Sequence, residues 1–451
     1  MSKKNKNIRS LVKNIKPFCL RHKPALIILL LLLTVRLIAM YFLGTHYSVE
    51  SDDIAYLDSG LEFLRTGVVS IHEAGPSAQI MPGMTFLLAL FYAVFGEGRL
   101  LWFALKLFWT LMGVCTAWVV YRTVCLFAPK WCGIAAMLPF FRVDFIWTDN
   151  LILTETPFLL ALTCMVYFTF RMARYGTWGD FAGTLAAYMA GLLLKANIAL
   201  YPLFALVYLL AKGYDRKLLF RQCIVVTCVA GCFIVPWSIR NYVHFHAFIP
   251  LTYGAGNPML LGTYQGKGYP EDDDLDYGTN VDAVIKEQYA EFFREDGTVQ
   301  PEYERYISLR RDALQAKYRQ KMWIQWNFKD FLYSYLILKP NILLNGYFYW
   351  KPLFGVTWED IVPLQRLDGY LCIFTVAAAL ILKRKRAPVI FLTLTYLAHI
   401  YIYAATYAFE RYNASLMTLR FIMIGIGWSL FIQLLERGIR SVRTFEGGET
   451  A

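Results

Sequence analysis

Charge is scarce in this chain of 451 residues: 17% of positions are Asp, Glu, Lys or Arg, while 57% are hydrophobic. Soluble domains carry about a quarter charged residues, so an ordinary soluble globule is excluded. Metal-binding and redox cysteine spacings are also missing, because the nine cysteines include no C-x-x-C pair. Cys19, Cys115, Cys125, Cys132, Cys164, Cys223, Cys228, Cys232 and Cys372 fall in apolar runs or near basic segments, as small packing residues do. No convincing internal repeat is visible, which weakens a transporter assignment, since many transporters are built from duplicated halves. The first apolar run, Ala25 to Leu43, is long and is followed by Gly44-Thr45-His46-Tyr47 rather than a small-residue cleavage site, so it is expected to stay as a membrane span.

Long apolar runs are what the sequence has in abundance, and they approach the roughly 20 residues needed to cross hydrocarbon. The formal charge of +12 is concentrated in tight clusters at the ends of these runs, which marks membrane topology rather than a nucleic-acid surface. Residues 1–24 carry eight basic side chains and no acid, so this tail is expected in the cytoplasm. Arg122 with Lys130, Arg171 with Arg174, Lys212-Arg216-Lys217-Arg221, Lys383-Arg384-Lys385-Arg386 and Arg437-Arg440-Arg443 mark the same side. About ten spans then thread consistently, at 25–43, 99–121, 132–148, 156–170, 181–194, 196–211, 223–239, 367–382, 387–404 and 414–434, with both termini cytoplasmic. Pro82 to Gly96 is too short for a full span and is expected as a half-inserted or interfacial helix. Lys195 is expected at the outer turn of a tight hairpin over 181–211.

The expected fold is therefore an all-α polytopic membrane bundle. Its parts are a basic tail (1–24), an N-terminal transmembrane module (25–239) with outer loop 44–81, an outer region (240–366), C-terminal spans (367–435) and a cytoplasmic tail (436–451). No segment of domain size faces the cytoplasm. Within the outer region, 281–328 is polar and helix-like, and 331–350 is an aromatic-rich stretch suited to an interface.

Chemistry concentrates in the outer segments. Ser51-Asp52-Asp53 opens an amphipathic helix with Ile54, Leu57, Leu61 and Leu64 at helical spacing and a stop at Gly67. The acids could simply cap the helix and favour its dipole; alternatively, one is a carboxylate held at the membrane surface to accept a proton or hold a metal ion. Read with Tyr56, Leu64-x-x-Gly67, Pro76-Ser77, Pro82-Gly83-Met84 and Phe95-Gly96, this loop resembles the GT-C superfamily of polyprenyl-phosphate-dependent glycosyltransferases. More narrowly it is similar to bacterial members of glycosyltransferase family 39, relatives of the protein mannosyltransferases and of the aminoarabinose transferases that modify lipid A. Thr154-Glu155-Thr156, Leu193-Leu194-Lys195, Pro236-Trp237-Ser238-Ile239-Arg240-Asn241, Gly256-Asn257-Pro258 and Glu410-Arg411-Tyr412 follow in the family's order. The usual tandem proline is replaced by Met81-Pro82-Gly83, and the prolines after the last Arg-Tyr are absent.

The resemblance implies a GT-C helix bundle that moves a sugar from a polyprenyl monophosphate to a hydroxyl at the outer face, with inversion. A carboxylate must then take the acceptor's proton and cations must stabilise the leaving phosphate. By motif position Asp52 is the base, supported by Tyr56, and Asp53 either orients it or helps hold a divalent metal ion. Adjacent helix positions do not face one centre, so the two acids are not equivalent. Glu155 is either a site acid or a helix N-terminal acid. Lys195 either snorkels to the surface or meets the donor phosphate, and Arg240 and Arg411 are further phosphate candidates through bidentate guanidinium contacts. The plainer readings are an interfacial anchor for Arg240 and a surface balance between Glu410 and Arg411. Arg36 is expected to pack against a polar group of a neighbouring span, Asp144 and Asp149 to be solvated, and Arg142 to pair with either. His72, His244 and His246 read as loop histidines, and the run from Glu271 to Asp276 as a solvated loop. The acceptor could be a protein, a lipid or a cell-wall polymer. The competing class is a transporter or flippase of lipid-linked saccharides, and a third is an inactive scaffold of envelope synthesis.

Overall fold

A computed structural model describes residues 3–72, 75–272 and 278–446, with the side chains of 3–16, 18, 19, 278–280 and 440–446 left aside. Most of the basic tail, Arg440, Arg443 and Asp273, Asp274 and Asp276 of the acidic run therefore lie outside the described residues or side chains. Among the described residues the chain is helical and has no β-strand, only two isolated bridges. Its helices are α1 (Lys3–Leu43), α2 (Asp52–Thr66), α3 (Gly83–Phe95), α4 (Arg99–Val124), α5 (Lys130–Met137), α6 (Val143–Thr148), α7 (Glu155–Tyr175), α8 (Trp178–Leu194), α9 (Tyr201–Ala211) and α10 (Arg216–Phe245). After these come α11 (Gly256–Gly262), α12 (Gly278–Gln288), α13 (Glu304–Trp326), α14 (Phe328–Tyr333), α15 (Lys339–Asn345), α16 (Trp358–Leu382), α17 (Arg386–Ala404), α18 (Arg411–Ala414) and α19 (Met417–Glu446).

Among the described residues, seven helices are long and apolar enough to cross a membrane: Leu20–Leu43 of α1, α4, α7, α10, α16, α17 and Met417–Ile439 of α19. The protein is thus a multi-pass membrane protein, as its composition requires. The other three expected spans are built from shorter pieces. The 132–148 run divides into α5, a 3₁₀ turn with Pro139, and α6, because Arg142 adopts an extended conformation. The 181–211 hairpin is α8, a 3₁₀ turn over Ala196–Leu200, and α9, with Lys195 extended at the junction. Pro82 to Gly96 forms the 13-residue α3, ended by Gly96 at φ 65°. The stretch after Trp326 is α14, a π-helical turn over Ser334–Leu338 and α15, then extended chain.

The two ends of the bundle are distinguished by chemistry. At one end, Lys130 donates to the Arg21 carbonyl (3.1 Å) and Arg174 to the Leu126 carbonyl (2.8 Å), gathering the basic segments. The other end collects the α1–α2 loop, the start of α7, the α8–α9 turn and the α17–α19 junction. Arg36 is fully buried in α1 and reaches Asp149 (2.8 Å) and the Phe140 carbonyl (3.1 Å), the neighbouring polar partner expected for it. Asp144 and Asp149 are buried rather than solvated, because each is consumed by an arginine: Arg142 pairs with Asp144 (2.6 Å) and also with Asp368 of α16 (2.7 Å), and Arg36 takes Asp149. Gly113 lets α4 pass that inner pair, since a Cβ there would overlap the Asp149 carboxylate.

Candidate active site

The α1–α2 loop separates the roles of two adjacent acids. Asp53 turns back into the loop, where its carboxylate accepts from the backbone amides of Val49 (2.8 Å), Ser51 (3.1 Å) and Ile54 (3.1 Å). It is 2% exposed, and Ser51 makes no side-chain cap. The helix start is thus closed by Asp53, not Ser51. This corrects the expectation of Asp53 as a catalytic acid or metal holder: its oxygens are occupied by three amides and it does not line the cavity described next. Asp52, one position earlier and so rotated by about 100° from it, faces the cavity instead.

Asp52 stands on the wall of a cavity of about 440 Å³ whose lining also includes Tyr56, Glu155, Lys195, Arg305 and Arg411. Residues 359 positions apart meet here, since Arg411 Nη1 donates to Asp52 Oδ2 at 2.7 Å. The same guanidinium grips Glu155 bidentately, Nε to Oε1 at 2.9 Å and Nη2 to Oε2 at 3.1 Å, and lies 5.0 Å from the Phe348 ring centroid. Glu155 begins α7 and is 1% exposed. Lys195 completes the pairing from the α8–α9 turn, donating to Glu155 Oε1 at 3.2 Å and to Ser415 Oγ at 2.9 Å. Gly83 brings the start of α3 onto this turn, because a Cβ there would overlap the Leu193 carbonyl.

Two carboxylates, Asp52 and Glu155, are thus set among three cations, Lys195, Arg305 and Arg411, and the balance favours an anionic ligand. Burial lowers the Lys195 pKa, with Glu155 opposing it and Arg411 assisting. Burial also pulls on Arg411, but Glu155 and Asp52 outweigh it and the guanidinium is held more firmly protonated than usual. Burial raises the Tyr56 hydroxyl, and the nearby Asp52 adds to this, so Tyr56 stays neutral beside the carboxylate.

The structure brings together Asp52, Tyr56, Glu155, Lys195 and Arg411, but not Arg240. The Arg240 guanidinium donates to the carbonyls of Ser77 (2.9 Å) and Val69 (3.2 Å) and to Asn241 Oδ1 (3.0 Å), and packs 5.1 Å from the Trp237 ring centroid. Its donors hold the chain on either side of residues 73–74, so the expected phosphate contact gives way to an anchor. Glu410 is not the partner of Arg411, whose fork is filled by Glu155 and Asp52. Among the described residues no group of three His, Cys, Asp or Glu side chains could hold a metal ion.

Two lining residues were not among the expected site residues: His72, read as a plain loop histidine, and Arg305. His72, at φ 59°, places Nε2 3.9 Å from Asp52 Oδ1. Arg305 of α13 reaches the cavity with Nε on Gln79 Oε1 at 3.1 Å. Neither carries a local signal, because a loop histidine and a helix-surface arginine acquire meaning only from what folds against them.

The fold and this cluster define a multi-pass helical membrane protein with an anion-attracting cavity at one end of the bundle. Residues 77–239 match the family model of the dolichyl-phosphate-mannose-protein mannosyltransferases, a segment that contains Glu155 and Lys195, and this match bears out the expected relationship to the GT-C superfamily. Among solved structures, the chain is similar to ArnT from Cupriavidus metallidurans bound to undecaprenyl phosphate, at 15% identity and a TM-score of 0.39, covering 89% of this chain and 77% of that one. The apo state of the same protein gives 14% identity and a TM-score of 0.39 over 89% and 76%. A search of curated proteins found no match.

Proposed function

We propose that this protein transfers a sugar from a polyprenyl-phosphate donor to an acceptor hydroxyl at the outer face of the cytoplasmic membrane. The observation that carries the proposal is the convergence of Asp52 with Lys195 and Arg411 on one cavity. The family matched by residues 77–239 is named for a lipid-phosphate sugar donor, and the basic clusters at the opposite end of the bundle favour an outward-facing cavity.

In this reaction the acceptor oxygen attacks the anomeric carbon from the face opposite the phosphate, and the bond from that carbon to the phosphate oxygen breaks. The acceptor's proton passes to Asp52 through Oδ1, the oxygen not taken by Arg411. Lys195 and Arg411 neutralise the polyprenyl phosphate that leaves with the bonding electrons. Glu155 is a positioning residue: it holds both cations in place, and the second Nη1 proton of Arg411, whose first is on Asp52, and the one Lys195 proton not on Glu155 or Ser415 remain for the phosphate. Arg305 and His72 border the acceptor side of Asp52.

The test is sugar transfer in membranes containing wild-type or Asp52→Asn protein. A loss of at least about a hundredfold is expected, within the range of a general base. Full transfer by the variant would remove the base assignment, and lipid-saccharide translocation without transfer would favour the flippase reading.

A further inference from the structure

A second cavity, of about 760 Å³, opens between α15, α16, α17 and α19. It shares no lining residue with the cavity around Asp52. Its wall on α16 is a helical stripe in which Arg366, Tyr370, Ile373, Ala377 and Leu380 recur three or four positions apart and so share one face. From first to last the stripe rises about 21 Å along the helix. Tyr370 and Ile373 are each 68% exposed and Leu380 is 47% exposed, so the groove opens sideways, toward the bilayer hydrocarbon.

Charge is confined to one end of the groove. Arg366 is exposed and has no hydrogen bond or ion pair among the described residues. Arg420, on the first turn of α19, is 4% exposed yet lines the cavity. Its hydrogen bonds are long, Nη1 to Gln365 Oε1 at 3.4 Å and to the Met417 sulfur at 3.7 Å. The Tyr396 ring centroid lies 5.4 Å away. Asp368 also attracts Arg420, but among the described residues no hydrogen bond joins the two, and Asp144 and Asp368 both accept from Arg142. Three guanidiniums are gathered with two carboxylates, and a buried guanidinium without a full set of acceptors is costly within a membrane bundle. The missing partner is an anion that carries an apolar chain.

We propose that this groove binds a glycerophospholipid, with the phosphate between Arg366 and Arg420 and an acyl chain along the stripe from Tyr370 to Leu380. The site is tied to the other cavity by one bond: Tyr396, on the groove wall, donates to Asn413 Oδ1 at 2.7 Å, and Asn413 lies on the same short helix as Arg411. The proposal stands apart from the transfer reaction and needs none of its residues.

The experiment titrates full-length protein in detergent with dioleoyl phosphatidylglycerol and counts retained lipid by native mass spectrometry. One lipid is expected to be held more tightly than the rest. Arg366→Gln should weaken that lipid roughly tenfold, the scale of one charge-assisted contact. Ala377→Trp, which fills an exposed part of the groove wall, should weaken it at least as much. Arg437→Gln, an exposed position far along α19, should leave it unchanged. Unaltered retention by either groove variant would overturn the proposal, as would equal binding of dioleoylglycerol, which lacks the phosphate. Displacement by an equimolar short-chain polyprenyl monophosphate would also overturn it, by assigning the groove to a different lipid. These readouts do not involve sugar transfer, so failure here leaves the transfer proposal intact.

Discussion

Arg411 and Glu155 form a two-bond fork, at 2.9 and 3.1 Å, across 256 positions of sequence. The fork fixes the α17–α19 junction against the start of α7 and leaves Nη1 on Asp52. Buried pairs of this kind cost little while intact and much when one partner is removed.

Glu155→Gln should therefore destabilise the protein by about 3–5 kcal/mol, because Arg411 and Lys195 lose the carboxylate they share. A thermal-unfolding series in detergent measures this, with Arg411→Lys, which cannot reproduce the fork, falling between the variant and the wild type. A variant as stable as the wild type would show that the fork holds nothing together.

Arg240→Met should act on stability rather than on donor affinity. It strips donors from the Ser77 and Val69 carbonyls, at about 1–3 kcal/mol for groups left unsatisfied. Transfer per folded molecule, with its KM for the lipid donor, is expected to stay at the wild-type value. A raised KM with normal stability would return Arg240 to the phosphate site.

Asp53→Ala opens the start of α2 by removing the acceptor for three amides. Loss of about 0.5–2 kcal/mol is expected, the scale of a lost helix cap. Asp53→Asn keeps an acceptor and should recover more than half of the midpoint shift in the same melting experiment.

Lys195 yields a pH prediction with a definite sign. Burial lowers its pKa below the ordinary 10.5, with Glu155 opposing, so the proton that faces the leaving phosphate is lost earlier on the alkaline side than from an ordinary lysine. Transfer should decline on that limb as pH rises, and Lys195→Arg should move the limb upward, since guanidinium does not titrate there. In stability the same shift makes the folded state bind fewer protons than the unfolded one between its own pKa and 10.5. Stability therefore falls as pH drops through that window, and is fully recovered only above 10.5.

The bundle and the gathering point were legible because both depend on local properties. Apolar run length and the placement of Lys and Arg at run ends are visible in any short window, and together they brought Asp52, Glu155, Lys195 and Arg411 to the same end. Pairing was not legible. Arg142 meeting Asp368, Arg36 meeting Asp149 and Arg411 choosing Glu155 over its neighbour Glu410 are decided by which helices pack, and no window contains both partners. Arg240 looked free because the carbonyls it holds belong to residues 69 and 77. That Asp53 is not equivalent to Asp52 was legible from their adjacent helix positions, but not that the loop's own amides occupy its carboxylate. The broken helix at Arg142 was hidden for a related reason: the 132–148 run reads as one span, and the interruption coincides with the pairing of Arg142 with Asp144 and with Asp368 of a distant helix.

Sugar transfer by Asp52→Asn in native membranes tests the central claim most directly. The carboxamide preserves the side-chain shape and an acceptor for Arg411 Nη1, and at a side chain 36% exposed the pairing contributes at most about 1 kcal/mol. The account predicts protein of near wild-type stability whose transfer falls at least about a hundredfold. Equal transfer by variant and wild type, from equal amounts of folded protein, would contradict it.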